Sequence, residues 1–279
     1  MEPSATPHRS RVPWALAVAV GLGSGLAGYV IHAARVGRIP KPIVQVQRLT
    51  DMPGSEEAPA ISPDGKSVAF VAMSGGRRQI WMGAAEMTHD DADHYGPRWS
   101  ADSKSLIYFS GGAVWESPSK MLVDALAPGD LSHRGKTLAY FRLRDGAVEL
   151  MAGDHAVVKL PAGERYSNLR WSPDDKKLSY LQDGNVMIVG AFGGDPVRAT
   201  NVPVQSFTWT PDNSGLIVST RGELWFIPRK EGSSPSQLTF GELSYESPDI
   251  GPAGSLVVSR KGLYAQGESD IVMFSGLKW

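Results

Sequence analysis

The chain has 279 residues, with 28 Lys and Arg against 29 Asp and Glu, no cysteine, 31 Gly and 20 Pro. The lack of cysteine removes disulfides, thiolate metal sites, iron–sulfur ligation and a cysteine nucleophile, and a near-neutral charge without a basic block argues against nucleic-acid binding. The Gly and Pro excess predicts a turn-rich, all-β fold.

Residues 1–12 read as a short tail. The stretch from Val12 to Ala34 then carries no charge. At 1.5 Å per residue, a helix over 13–34 spans roughly 33 Å, enough for a bilayer core. Arg9 and Arg11 precede it and Arg35, Arg38 and Lys41 follow it, so charge bias does not choose an orientation. Two exported readings stand: an uncleaved signal anchor, and a signal peptide cut near Gly25-Leu26-Ala27. Apolar sequence continues through Tyr29, Val30 and Ile31, which favours the anchor. Ala17, Gly21 and Gly25 recur every four residues and offer a surface on which two such helices dimerise. Residues 35–42 form a linker.

From residue 43 to 279 the chain repeats. Ile61-Ser62-Pro63-Asp64-Gly65, followed by Val68, Ala69 and Phe70, returns at Trp99-Ser100-Ala101-Asp102, at Leu131-Ser132-His133-Arg134, at Trp171-Ser172-Pro173-Asp174 and at Trp209-Thr210-Pro211-Asp212. A degenerate sixth copy is Ile250-Gly251-Pro252-Ala253. The spacing is that of a four-stranded propeller blade, roughly 40 residues, with one trimmed copy between Ser100 and Ser132. Each turn has a mechanical logic: Pro presets φ, Asp bonds to the local backbone and Gly accepts a positive φ. An apolar strand therefore enters the turn and an alternating strand leaves it. Trp81, Trp115 and Trp225 mark third strands, and with Trp99, Trp171 and Trp209 they supply bulk between facing sheets.

A threonine marks the outer strand in Leu49-Thr50, Met87-Thr88, Ala199-Thr200 and Leu238-Thr239. Its first copy precedes the first blade, while too little chain follows Phe274 for another strand. A strand at 44–50 is therefore expected to complete the last blade and close the ring, which removes open edges. The predicted architecture is an all-β, six-bladed β-propeller of four-stranded antiparallel blades over 43–279, preceded by one transmembrane helix.

The run Arg48-Leu49-Thr50, then Pro59-Ala60-Ile61-Ser62-Pro63-Asp64-Gly65-Lys66-Ser67-Val68-Ala69-Phe70, then Ile80-Trp81, resembles the WD-like repeats of TolB-type β-propellers. The resemblance covers 43–279 and lacks the domain that precedes the propeller in TolB. It implies six blades and an extracytoplasmic, protein-binding role.

Two constellations carry candidate chemistry. His89, Asp91 and His94 lie in the segment Thr88-His89-Asp90-Asp91-Ala92-Asp93-His94 and offer ligands to a divalent metal. Their spacing matches no established metal motif, and an ordinary solvated loop between blades is the favoured reading. The residue two before each turn gives Ala60, Arg98, Asp130, Arg170, Thr208 and Asp249. If these reach the central channel, Arg98, Asp130, Arg170 and Asp249 form a mixed-charge mouth for a peptide or small polar ligand; packing as paired salt bridges between blades is the favoured reading. His133 and His155 have no base or nucleophile at recognisable spacing.

No catalytic motif is present, so the expected function is a non-enzymatic, periplasmic, membrane-tethered scaffold that binds another envelope protein or a peptide and needs no cofactor. The alternatives are a metal-assisted hydrolase or lactonase using the channel, and a sensor working with a separate signalling chain.

Overall fold

The computed structural model describes residues 45–134, 137–262 and 268–277. The expected tail, the apolar segment 13–34 with Ala17, Gly21 and Gly25, and the linker 35–42 lie outside the described residues. Among the described residues, no helix is long and apolar enough to cross a membrane.

Six four-stranded antiparallel sheets follow one another along the chain, forming the expected six-bladed propeller. The inner strands are Glu56–Ile61, His94–Trp99, Asp130–Leu131, Tyr166–Trp171, Ser206–Trp209 and Leu243–Ile250. Blade three is the trimmed copy, its inner strand reduced to two residues. Blade six takes its outer strand from the front of the chain, where Gln45–Arg48 pairs antiparallel with Asp270–Ser275. Phe70 and Ala72 of blade one pack with Ile271 of blade six, and Leu49 and Met52 pack against them, sealing this junction.

The repeated turn is built from its own side chains. Ser62 donates to Asp64 at 2.6 Å, Asp64 accepts the Lys66 N–H, and Ser62 accepts the Ser67 N–H. Ser172 and Asp174 repeat all three bonds. The fifth residue of the motif needs left-handed backbone, which Gly65 supplies at φ 73°, while Ser103, Asp175 and Asn213 adopt it at 57–60°.

The recurrent threonine lies just beyond the outer strand rather than within it. Its hydroxyl accepts the N–H of a third-strand residue: Thr50 from Ile271, Thr88 from Ile80, Thr200 from Val186 and Thr239 from Leu224. In each case the residue before the threonine donates its own N–H to the carbonyl of that same third-strand residue. The threonine thus completes the ladder where the outer strand ends, and buried backbone groups require such a partner.

The core lies between blades. Phe141 and Leu150 of blade three pack with Tyr180, Leu178 and Trp171 of blade four in one cluster. The inner-strand tryptophans also stitch neighbours together, Trp99 donating to the Ala60 carbonyl of blade one and Trp209 to Ser179 of blade four.

Candidate functional site

The inner strands converge on the channel, and four of them carry a β-bulge two residues before the predicted channel position. The residues Ala58, Gly96, Asn168 and Ser247 have φ between 49° and 55°, and pairing with the second strand shifts register at each of these points. A bulge bends its strand and re-aims the next side chains. At Gly96 a Cβ would stand 2.8 Å from Pro128, so the close approach of blades two and three requires glycine there.

Beyond the bulges, the turn ends of all six inner strands enclose a cavity of about 360 Å³. Arg98, Asp130, Arg170, Thr208 and Asp249 line it, so five of the six positions singled out by the repeat meet in one place. Ala60 contributes its carbonyl to Trp99 instead. The walls add Trp99, Trp171 and Trp209 with four turn prolines. Such a mouth, apolar with a few convergent charges, is the usual form of a small-molecule site.

Each carboxylate is anchored to the following blade. Asp130 Oδ2 accepts the Trp171 N–H at 2.7 Å, and Asp249 Oδ2 accepts the Ile61 N–H at 3.0 Å. Asp249 Oδ1 stands 3.5 Å from Arg170 Nη2, an ion pair across the channel from blade six to blade four. Burial raises both acids to about 6, against the opposing pull of Arg98 on each and of the backbone N–H bonds. Desolvation outweighs attraction here, because a charged carboxylate loses more by leaving water than it regains from these partners.

His133, whose partner the sequence did not reveal, also lines the mouth. Its Nδ1 lies 3.1 Å from Asp175 Oδ1, while Asp175 also accepts the N–H groups of His133 and Arg134. A carboxylate that accepts three times places the proton on Nδ1 and leaves Nε2 as the basic nitrogen. The two residues are 42 positions apart and on different blades, so no linear spacing announces the pair.

The histidine-rich segment is arranged differently. His94 is buried, its Nδ1 3.3 Å from the Arg78 carbonyl and its ring 5.2 Å from Tyr108. His89 and Asp91 are exposed. Asp93 accepts the Arg78 N–H, Asp90 accepts the Ala92 N–H, and buried Gln79 donates to the Asp90 carbonyl. These bonds shape the loop between blades one and two. Among the described residues, no group of three or more His, Asp or Glu side chains converges as metal ligands do. His89, Asp91 and His94 therefore do not fit a metal ion in this arrangement.

No family model matches the chain, and no curated protein matches it in sequence. Solved structures share its fold. A protein assigned as TolB from Agrobacterium tumefaciens superposes with a TM-score of 0.53 at 17% identity, over 67% of this chain and 76% of its own. A gluconolactonase from Xanthomonas campestris gives 0.62 at 16% identity, over 87% and 92%. A protein assigned as an oxidoreductase (glucose dehydrogenase) from Thermus thermophilus gives 0.57 at 10% identity, over 83% and 99%. The TolB-type resemblance is thus borne out as a fold. The expectation of a non-enzymatic protein is corrected by the other two structures: this propeller fold is shared with a gluconolactonase and with a protein assigned as an oxidoreductase.

Proposed function

We propose that the protein is a hydrolase of the lactonase class, acting on a small polar cyclic ester in the channel mouth. The observation that carries this reading is the meeting of two buried acids, Asp130 and Asp249, with Arg98, Arg170 and His133 in one cavity of about 360 Å³. The fold shared with a gluconolactonase supports it, and the tryptophan walls suit the apolar face of a sugar-like ring.

Asp130 is the general base. Its Oδ2 is fixed by the Trp171 N–H, which leaves Oδ1 to face a water molecule. An acid raised to about 6 is ionised at neutral pH and still basic enough to take a proton, the compromise that general-base catalysis favours. Asp130 removes the proton from water as the water oxygen attacks the ester carbonyl. Arg98, whose charge acts on both acids, stabilises the oxyanion. The carbon–oxygen ring bond then breaks, and the departing alkoxide takes the proton back from Asp130, giving the open hydroxy acid. Asp249 holds Arg170 in place as a positioning pair.

Among the described residues no group of three or more His, Asp or Glu side chains converges as metal ligands do, and the steps above are written on this chain's own side chains. The test is a pH-stat assay of the purified protein with five- and six-membered aldonolactones. Acid release above the spontaneous rate supports the reading; binding without turnover, or neither, overturns it.

A further inference from the structure

Below the mouth, on the bulge side of the arginines, lies a second cavity of about 130 Å³. It is lined by inner-strand or adjoining residues of five blades, among them the bulge residues Ala58, Gly96, Asn168 and Ser247. Arg98 and Arg170 line both cavities and form the waist between them. The two chambers differ in charge: Asp130 and Asp249 line the mouth, while no Asp or Glu lines the lower chamber.

Arg170 in the waist carries an unsatisfied donor. Its side chain is only 7% exposed, and its Nε is buried with no hydrogen-bond partner in the protein. Its Nη2 faces Asp249 at the mouth. A buried guanidinium donor without an acceptor is costly, and such groups in native proteins call for a partner that the chain itself does not supply.

We infer that the lower chamber is a binding site for one small oxyanion, a carboxylate or inorganic phosphate, held between the guanidinium groups of Arg98 and Arg170. Planar guanidinium groups match the oxygens of such anions in pairs. The chamber has room for a few water molecules or one anion of this size, and the bulged backbone brings the strands close around it. This site shares Arg98 and Arg170 with the mouth and stands whether or not the mouth is catalytic.

The test is isothermal titration of the full chain at pH 7 with inorganic phosphate and, separately, with acetate. The design compares wild type, Ser247→Asp and Ser247→Asn. Ser247 already has φ of 52°, a conformation that Asp and Asn tolerate, so both variants are expected to fold, checked by circular dichroism. The expected result is one site for at least one anion in wild type, retained within threefold in Ser247→Asn and weakened at least tenfold in Ser247→Asp. Saturation by phosphate alone or by acetate alone identifies the source of the anion. Absence of binding by both anions, or equal binding in all three proteins, overturns the inference.

Discussion

Arg170 of blade four reaches across the channel to Asp249 of blade six, Nη2 to Oδ1 3.5 Å, with both side chains largely buried. Neither belongs to the other's sheet, so the contact ties two non-adjacent blades together through the centre of the ring. Removing one partner leaves an uncompensated buried charge. Because Asp249, already raised to about 6, can take up a proton when its partner is lost, Arg170→Met is expected to lower unfolding free energy at pH 7 by about 1–3 kcal/mol, and the double variant Arg170→Met/Asp249→Asn by clearly less. Urea denaturation of the single and double variants measures the difference, and equal losses in both contradict the pairing.

The buried acids also set a pH dependence of stability. Asp130 and Asp249 rise from 3.8 in the unfolded chain to about 6 in the folded protein, so the folded state binds more protons between those values. Their contribution is fully present below about pH 4 and is lost as pH rises through about 6. The turn carboxylates Asp64 and Asp174 are shifted down, chiefly by Ser62 and Ser172 hydroxyl donation, and act the opposite way: what they add above about pH 4 is lost on acidification. Asp64 is exposed and Asp174 half-buried, so both are screened and contribute little. Stability is thus expected to fall between about pH 4 and 6 and level off above, and Asp130→Asn/Asp249→Asn to flatten that slope. A slope unchanged by the double substitution contradicts the assignment.

How far the sequence discloses this molecule depends on the range of the interaction. The Ser62-Pro63-Asp64-Gly65 turn and its copies are local, so composition at fixed spacing reveals blades, turns and the trimmed third repeat. Asp130 and Arg170 could be placed at the channel because they hold the same register two residues before each turn. The bulges at Ala58, Asn168 and Ser247 leave no such mark, since these side chains are ordinary in a strand and only packing around the channel forces the positive φ. His133 with Asp175, and Asp130 with the Trp171 N–H, join residues 42 and 41 positions apart on neighbouring blades. The histidine-rich segment misleads for the converse reason: residues adjacent in the chain diverge in space, with His94 turned inward and His89 outward.

The recurrent threonine has a measurable role. Thr239 accepts the Leu224 N–H at 2.9 Å and is buried, so Thr239→Val keeps the shape and leaves that N–H unsatisfied. A loss of about 1–3 kcal/mol is expected, read by thermal or urea unfolding. No loss contradicts the role assigned to the threonine.

Closure of the ring is equally open to test. Arg48 bonds Asp270 at 2.7 Å, Asp270 bonds Arg260 at 2.6 Å, and Thr50 and Met52 bond Glu56. A chain beginning at Ser55 loses the outer strand of blade six and exposes the Asp270–Ser275 edge. Compared with a chain beginning at residue 43, it is expected to melt at lower temperature and to associate with increasing concentration. Identical melting and a monodisperse profile in light scattering contradict the closure.

A general base at Asp130 in the channel mouth leaves its signature in the pH–rate profile of lactone hydrolysis. On this mechanism kcat/KM is expected to rise through about pH 6 and to stay flat above it. Asp130→Asn, whose side-chain oxygen can still accept the Trp171 N–H, should lower the plateau at least roughly 100-fold, in line with the general-base contribution, while leaving circular dichroism unchanged. A rate without inflection near pH 6, or a folded Asp130→Asn protein with full activity, contradicts it.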